Sequence, residues 1–267
     1  MSSHSITGEA SRSAPRKRRR ALVFGALVAA VIAACAALLA AHNVPLALTE
    51  ADVRAIPQLL AAAGKPHLTR NAAVGGSFEE QAKIIAEVQQ AVLATAPKTD
   101  PIDFDREREP KDLLELGYGL CFDRSRAIEK ILAYVGLPSR HISVYDLSES
   151  QSPIRALIAP GTRSHALTEV LTEKGWMAVD PDIAWIGLTE KGEVVSVRDL
   201  QRNTSTDYAW HSLAKTDRND IFRTDFTYVI GLYSRHGRFY PPYNAIPDIN
   251  YRQFAANLLP WGTFSFH

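Results

Sequence analysis

Twenty-one consecutive residues, Ala21 to Ala41, carry no charge and no strongly polar side chain, and the cluster Arg16-Lys17-Arg18-Arg19-Arg20 stands directly before them. A helix rising about 1.5 Å per residue crosses the ~30 Å hydrocarbon layer of a bilayer with such a run. The chain is therefore expected to be divided by a membrane before any soluble fold is considered. Basic residues on the N-terminal flank predict that residues 1–20 stay in the cytoplasm and that the chain after residue 41 is exported. The expected location is the inner (cytoplasmic) membrane, crossed once, with the following domain on the periplasmic or extracellular side.

Two processed fates stand beside the uncleaved anchor. A secretory signal has a shorter apolar region than this one. The tetrapeptide Ile32-Ala33-Ala34-Cys35 has the form of a lipoprotein processing site with Cys35 as the lipidated residue, yet residues 36–41 stay apolar where a processed lipoprotein turns polar. On all three readings the remainder lies outside the cytoplasmic membrane.

The near-neutral total charge hides this division. Of the 30 basic and 29 acidic residues, six basic and one acidic fall in residues 1–20, which leaves 24 against 28 for the rest. A mildly acidic globular part argues against binding nucleic acid by phosphate neutralisation. At 267 residues the chain is long enough to bury a sizeable core.

Residues 42–112 read as a helical juxtamembrane region. Thr49 and Asp52 mark a helix start, with the chain running through Leu59, Leu60 and the Ala61–Ala63 run to a stop at Gly64. Ser77 and Glu80 form a capping box before Ile84, Ile85, Val88 and Val92, and this helix is expected to reach Ala96 and stop at Pro97. The charged stretch Lys98 to Asp112, with Pro101 and Pro110, reads as a surface loop.

A second strong helix begins near Leu120 or Cys121, carries Ala127, Ile128, Ile131, Leu132 and Val135 on its apolar side, and ends at Gly136 before Pro138. Strand patterns follow at Arg140 to Tyr145, His165 to Leu171, Trp176 to Asp180 and Val194 to Val197. The turn at Glu173-Lys174-Gly175 makes the middle two a hairpin, which brings His165 and Asp180 together near one end of an antiparallel sheet. From about Asp199 the pattern is weaker. Phe226 to Tyr233 reads as a strand, and Phe239-Tyr240-Pro241-Pro242-Tyr243 cannot be regular helix and reads either as a cover for the core or as the lining of a substrate groove. Leu258-Leu259-Pro260-Trp261 is too short to span a membrane.

Two cysteines are present, Cys35 in the apolar run and Cys121 in the domain, too differently placed to form a structural disulfide. A free thiol in an exported domain is exposed to oxidation; it is either a small buried hydrophobe or a working nucleophile. Cys121 stands in the first turn of its helix, where unpaired amides and the positive end of the helix dipole favour an anion and can receive an oxyanion. His165 and Asp180 supply the other two parts of a thiol nucleophile: a base, and a carboxylate to orient it. Asp123 reads as a first-turn charge, and Arg140 and His141 as structural or salt-bridged.

These segments resemble the transglutaminase-like superfamily, a branch of the papain-like cysteine enzymes. The resemblance lies in Gly119-x-Cys121-x-Asp123 opening a helix, in Leu132 through Gly136-Leu137-Pro138-Ser139-Arg140 into a strand, and in His165-Ala166-Leu167 followed by Glu169-Val170, Gly175-Trp176 and Val179-Asp180-Pro181. It covers about residues 115–185. It implies Cys121 as nucleophile, His165 as general base and acid, and Asp180 as its orienting group. The motif assigns no side-chain oxyanion donor; Tyr118 is a speculative candidate that reads at least as well as a packed tyrosine. Leu167 departs from the aromatic residue that members often carry two positions after the histidine.

No cofactor is required, because Cys-x-x-Cys, His-Glu-x-x-His, a phosphate loop and a Gly-x-Ser-x-Gly elbow are all missing from the sequence. The expected fold is α+β, a papain-like/transglutaminase-like core with a catalytic helix on an antiparallel sheet, preceded by one transmembrane helix. The expected organisation is a basic tail (1–20), anchor (21–41), helical region (42–112), catalytic core (113–200) and C-terminal extension packed on the core (201–267). The expected activity is acyl transfer from a peptide, protein or other amide-containing substrate through a thioester on Cys121. Hydrolysis is favoured over amine-accepting cross-linking, and a non-catalytic binding or assembly module is the rival.

Overall fold

The computed structural model describes residues 14–150, 152–236 and 238–258. The beginning of the basic tail and the end of the closing apolar segment lie outside these residues. The chain divides into two compact units between Asn43 and Val44.

The first unit is α1 (Ala14–Ala41), whose stretch Arg19–Ala41 is long and apolar enough to cross a membrane. Its apolar side chains lie open, Leu22, Phe24 and Ile32 each being more than 60% exposed. A soluble core helix would bury them; a lipid-facing helix has no need to.

The second unit opens with α2 (Glu50–Ala62) and α3 (Phe78–Thr95), both started by capping boxes: at Thr49/Asp52, where the sequence predicts a helix start, and at Ser77/Glu80, where it predicts the box itself. Then come α4 (Pro110–Leu116), α5 (Cys121–Val135), β1 (Ser139–Asp146), α6 (Pro153–Ile158), β2 (Ser164–Thr172), β3 (Gly175–Val179) and α7 (Val197–Arg202). The chain finishes with β4 (Phe226–Ile230), β5 (Leu232–Tyr233), β6 (Asp248–Ile249) and α8 (Tyr251–Phe254). Four strands form an antiparallel sheet in the order β3-β2-β1-β4, with β5 and β6 paired separately.

Alternation along the strands gives the sheet two buried faces. Val170, Met177 and Val179 join the cluster built by α2, α3 and α5, including Ile56, Leu59, Ile85, Val92, Ile128 and Ile131. Their neighbours Ile142, Val144, Leu167 and Ala178 point the other way, into a cluster with Trp185, Leu200, Phe222 and Phe226 from the C-terminal part. Helices thus cover one face and the C-terminal segments the other.

Three sequence expectations need correction. The stretch Lys98–Asp112 is not simply a surface loop: α4 begins at Pro110, and Ile102 and Arg108 are buried. Arg108 is held by its own contacts, donating to the carbonyls of Ile102 (2.6 Å) and Ser234 (2.8 Å) and lying over the rings of Phe104 and Phe122. Val194–Val197 is not a regular strand. Val195 exchanges backbone bonds with Gly187 and Ala178, but Ser196 caps a helix with Asp199 and turns Val197 into its first residue. The strand read through Phe226–Tyr233 breaks at Gly231, whose left-handed φ of 76° ends β4 before β5 begins.

α5 is buried on nearly all sides, including the side that the sequence leaves polar. Lys130 bonds Asp52 of α2 at 2.8 Å, Arg126 bonds Glu109 at 2.9 Å, and Arg124 bonds Asp182 at 2.6 Å. Each buried charge on this helix meets an opposite charge, without which burial would cost several kcal/mol.

Candidate active site

Cys121 is the first residue of α5, and the local sequence explains how it gets there. Leu120 is the N-cap, and its backbone amide donates to the Asp123 carboxylate at 2.9 Å. Gly119 has to be small: a Cβ there would lie 2.7 Å from Leu113 Cδ1 and 3.1 Å from Asp123 Cβ. The Gly119-x-Cys121-x-Asp123 pattern is thus a helix start in which Asp123 closes the cap and Gly119 lets α4 come close. The amides of Asp123 and Arg124 bond back to the Leu120 carbonyl at 3.1 Å, which leaves those of Cys121 and Phe122 as the first-turn amides without such a bond among the described residues.

His165 lies near the start of β2, and Asp180 follows directly on β3. The β2–β3 pairing is the predicted hairpin, turning at Glu173-Lys174, and it sets His165 Nε2 2.9 Å from Asp180 Oδ2. Asp180 is fully buried, and its Oδ1 accepts from the amides of Asp182 (2.8 Å) and Ile183 (3.2 Å). Gln89 of α3 braces the same turn by donating to the carbonyls of Asp180, Ile183 and Trp185. Phe222 packs edge-on against the imidazole. Since Nε2 is engaged by Asp180, Nδ1 is the nitrogen left for the sulfur of Cys121.

Cys121 Sγ, a His165 ring nitrogen and a carboxylate oxygen of Asp182 all lie within 4.8 Å of one another. Burial opposes charge on the His165 ring. The Asp180 carboxylate, by charge and by hydrogen bond, and the hydrogen-bonded Cys121 sulfur outweigh it, so the imidazole is held well above its ordinary value. An imidazole whose charged form is favoured, next to a sulfur, is the electrostatic condition for a thiolate nucleophile.

Three contributors were not legible in the sequence. Asp182 stands with Oδ2 3.7 Å from His165 Nδ1 while its Oδ1 accepts from Arg124. Arg124 also donates to the carbonyls of Ala96 and Lys98, tying the end of α3 to the first turn of α5. The available signal was a second carboxylate two residues beyond Asp180. The third is Tyr145, while Phe239 belongs to the aromatic segment that the sequence already offered as a cover or a groove lining. Phe239 stacks on Phe122 at 5.3 Å and joins the small cluster beside Cys121, so the C-terminal aromatic segment covers the surroundings of the thiol. Tyr145 lies close enough to feel the sulfur: burial, the Tyr243 hydroxyl at 2.5 Å and Cys121 push its hydroxyl well above the ordinary range, keeping it a proton donor.

The remaining candidates are structural. Tyr118 packs against the larger core cluster. Arg140 pairs with Glu169 at 2.6 Å, and His141 with Glu129 at 2.9 Å. Burial, against the opposing charge of Arg108, pushes the Asp123 carboxyl up to about 6, so this cap titrates in the mildly acid range.

Residues 70–181 match the family model of the transglutaminase-like superfamily. The matched segment takes in α3 as well as the blocks from Gly119 to Pro181. No curated protein matches the chain.

Proposed function

From the premise that residues 70–181 are a domain of the transglutaminase-like superfamily, we propose that this chain is a membrane-anchored, exported cysteine enzyme that cleaves amides through a thioester on Cys121. The observation that carries the reading is the imidazole of His165, bonded to Asp180 through Nε2 and close to Cys121 on its other side. The Cys121 thiolate attacks the amide carbonyl, and the Cys121 and Phe122 amides at the start of α5 receive the developing oxyanion. The proton on His165 Nδ1 passes to the leaving amine as the carbon–nitrogen bond breaks. His165, now neutral, takes a proton from water, whose oxygen attacks the thioester and releases the carboxylate and the thiol. Asp180 holds the ring in the tautomer both steps need.

Water as the second nucleophile makes the enzyme a peptide or amide hydrolase. An amine in its place gives transglutaminase-type cross-linking. The basic residues ahead of Ala21 support an orientation with the catalytic domain on the periplasmic or extracellular side. The substrate is a peptide, protein or other amide-containing molecule outside the cytoplasm.

The test is acid quenching of the full chain with peptide-amide substrates in heavy-oxygen water, followed by mass spectrometry. The expected results are a hydroxylamine-sensitive mass increment on Cys121, and heavy oxygen in the new carboxylate. Amide cleavage that persists in Cys121→Ala would overturn the proposal, and a product joined to an added amine would move it to cross-linking.

A further inference from the structure

Asp182 has no part in the steps above, yet it completes a three-atom set with Cys121 and His165. The geometry points to a binding site for one thiophilic divalent cation, Zn2+ or Cd2+, held by Cys121 Sγ, His165 Nδ1 and Asp182 Oδ2. Binding does not depend on the proposed activity; its consequence there, inhibition, does.

Tetrahedral zinc takes sulfur at about 2.3 Å and nitrogen or oxygen at about 2.0–2.2 Å, which puts a nitrogen and an oxygen ligand about 3.4 Å apart. His165 Nδ1 and Asp182 Oδ2 are already 3.7 Å apart, so a contraction of a few tenths of an ångström suffices for this pair. The outer contacts that orient metal ligands are present too. Asp180 accepts from His165 Nε2 at 2.9 Å and so directs the Nδ1 lone pair inward, while Arg124 holds Asp182 by Oδ1 at 2.6 Å and leaves Oδ2 available. Asp182 is 29% exposed at its side chain, and Cys121 is only half-buried, so an ion has access.

Charge balance agrees. With His165 neutral, the thiolate, Asp180 and Asp182 are three anions beside the single guanidinium of Arg124, a formal −2 against the +2 of the ion. The donor set of one sulfur, one nitrogen and one oxygen selects against Mg2+ and Ca2+, which take six or more oxygens. The ion takes the place of the proton that Cys121 and His165 share, so the thiol cannot attack while it is bound.

The experiment uses the full chain in detergent with Cys35→Ala, so that Cys121 is the sole thiol, and titrates Cd2+ while following the ultraviolet thiolate-to-cadmium band. The site predicts one saturable ion per chain, displacement by Zn2+ and not by Mg2+, and protection of Cys121 from iodoacetamide. It also predicts loss of the band in Cys121→Ser and at least tenfold weaker binding in Asp182→Asn and Asp180→Asn, the range for lost ligands and orienting partners. No saturable band in protein whose Cys121 still alkylates would overturn it, as would unchanged affinity in folded Asp182→Asn. Thioester formation without Cd2+ binding removes the metal site and leaves the enzymatic reading standing; Cd2+ binding without a thioester does the reverse.

Discussion

Two buried histidines lie against α5, each 2.9 Å from a carboxylate, and their surroundings differ. His141 on β1 meets Glu129 through Nδ1, touches the Ser125 hydroxyl at 3.2 Å with the same nitrogen, and stacks on Tyr233 at 4.2 Å. Its other nitrogen, Nε2, is buried and finds no hydrogen-bond partner among the described residues. His165 meets Asp180 through Nε2 and has a sulfur near its other side. A histidine–carboxylate pair is therefore not a site by itself. What separates the two is the third group and its exposure: His141 is fully enclosed, whereas His165 neighbours a half-buried Cys121 and an Asp182 whose side chain is partly exposed.

The comparison predicts opposite phenotypes. His141→Ala removes a fully buried, hydrogen-bonded ring while Glu129 keeps the Tyr233 hydroxyl and Arg126. It costs about 2–5 kcal/mol in urea unfolding through the cavity and the lost bond, while iodoacetamide reactivity of Cys121 in the folded fraction stays within about twofold. A large loss of thiol reactivity with little loss of stability would erase the distinction between the two pairs.

Asp123 gives the next effect. With its carboxyl raised from 3.8 to about 6 in the fold, the native state binds this proton more tightly than the unfolded chain. The stability it contributes is full below about pH 4 and is lost as pH rises to about 6, a change on the order of 3 kcal/mol. Asp123→Asn keeps an acceptor for the Leu120 amide and is expected to flatten the unfolding free energy across that window. An unchanged pH profile would place the titration elsewhere. For His165 the direction is likewise upward. The stability of its charged pairing is full below its ordinary value of about 6.5 and is lost as pH rises through the raised folded value.

Asp180→Asn should lower Cys121 alkylation about tenfold, near 1.4 kcal/mol, because the ring loses its charged anchor while Gln89 still binds the turn through backbone carbonyls. Arg124→Lys is the mildest change. It keeps the charge beside Asp182 but loses the fork that also reaches Ala96 and Lys98, at about 1 kcal/mol of stability.

Local chemistry accounts for what was legible in the sequence. Helix starts, the stop at Gly136 and the Glu173-Lys174 turn depend on neighbours within a few residues, and each recurs in the structure as read. The hairpin then carried His165 and Asp180 together with no long-range information. The contacts that escaped join distant segments. Lys130 and Asp52 are 78 positions apart, Arg124 and Asp182 58. Charges that look solvated in α5 are buried because these partners come from elsewhere, and no periodicity announces that. Asp182 escaped for the same reason, since its place beside the thiol depends on Arg124 and on the turn that Gln89 braces.

The central claim, that His165 and not merely the helix terminus activates Cys121, is tested most directly by the rate of iodoacetamide alkylation at neutral pH in full-length Cys35→Ala protein, with and without His165→Ala. The account predicts that Cys121 reacts at least tenfold faster than a free thiol and that His165→Ala removes the excess. A Cys121 that reacts no faster than a free thiol, or whose excess survives in His165→Ala, would contradict it.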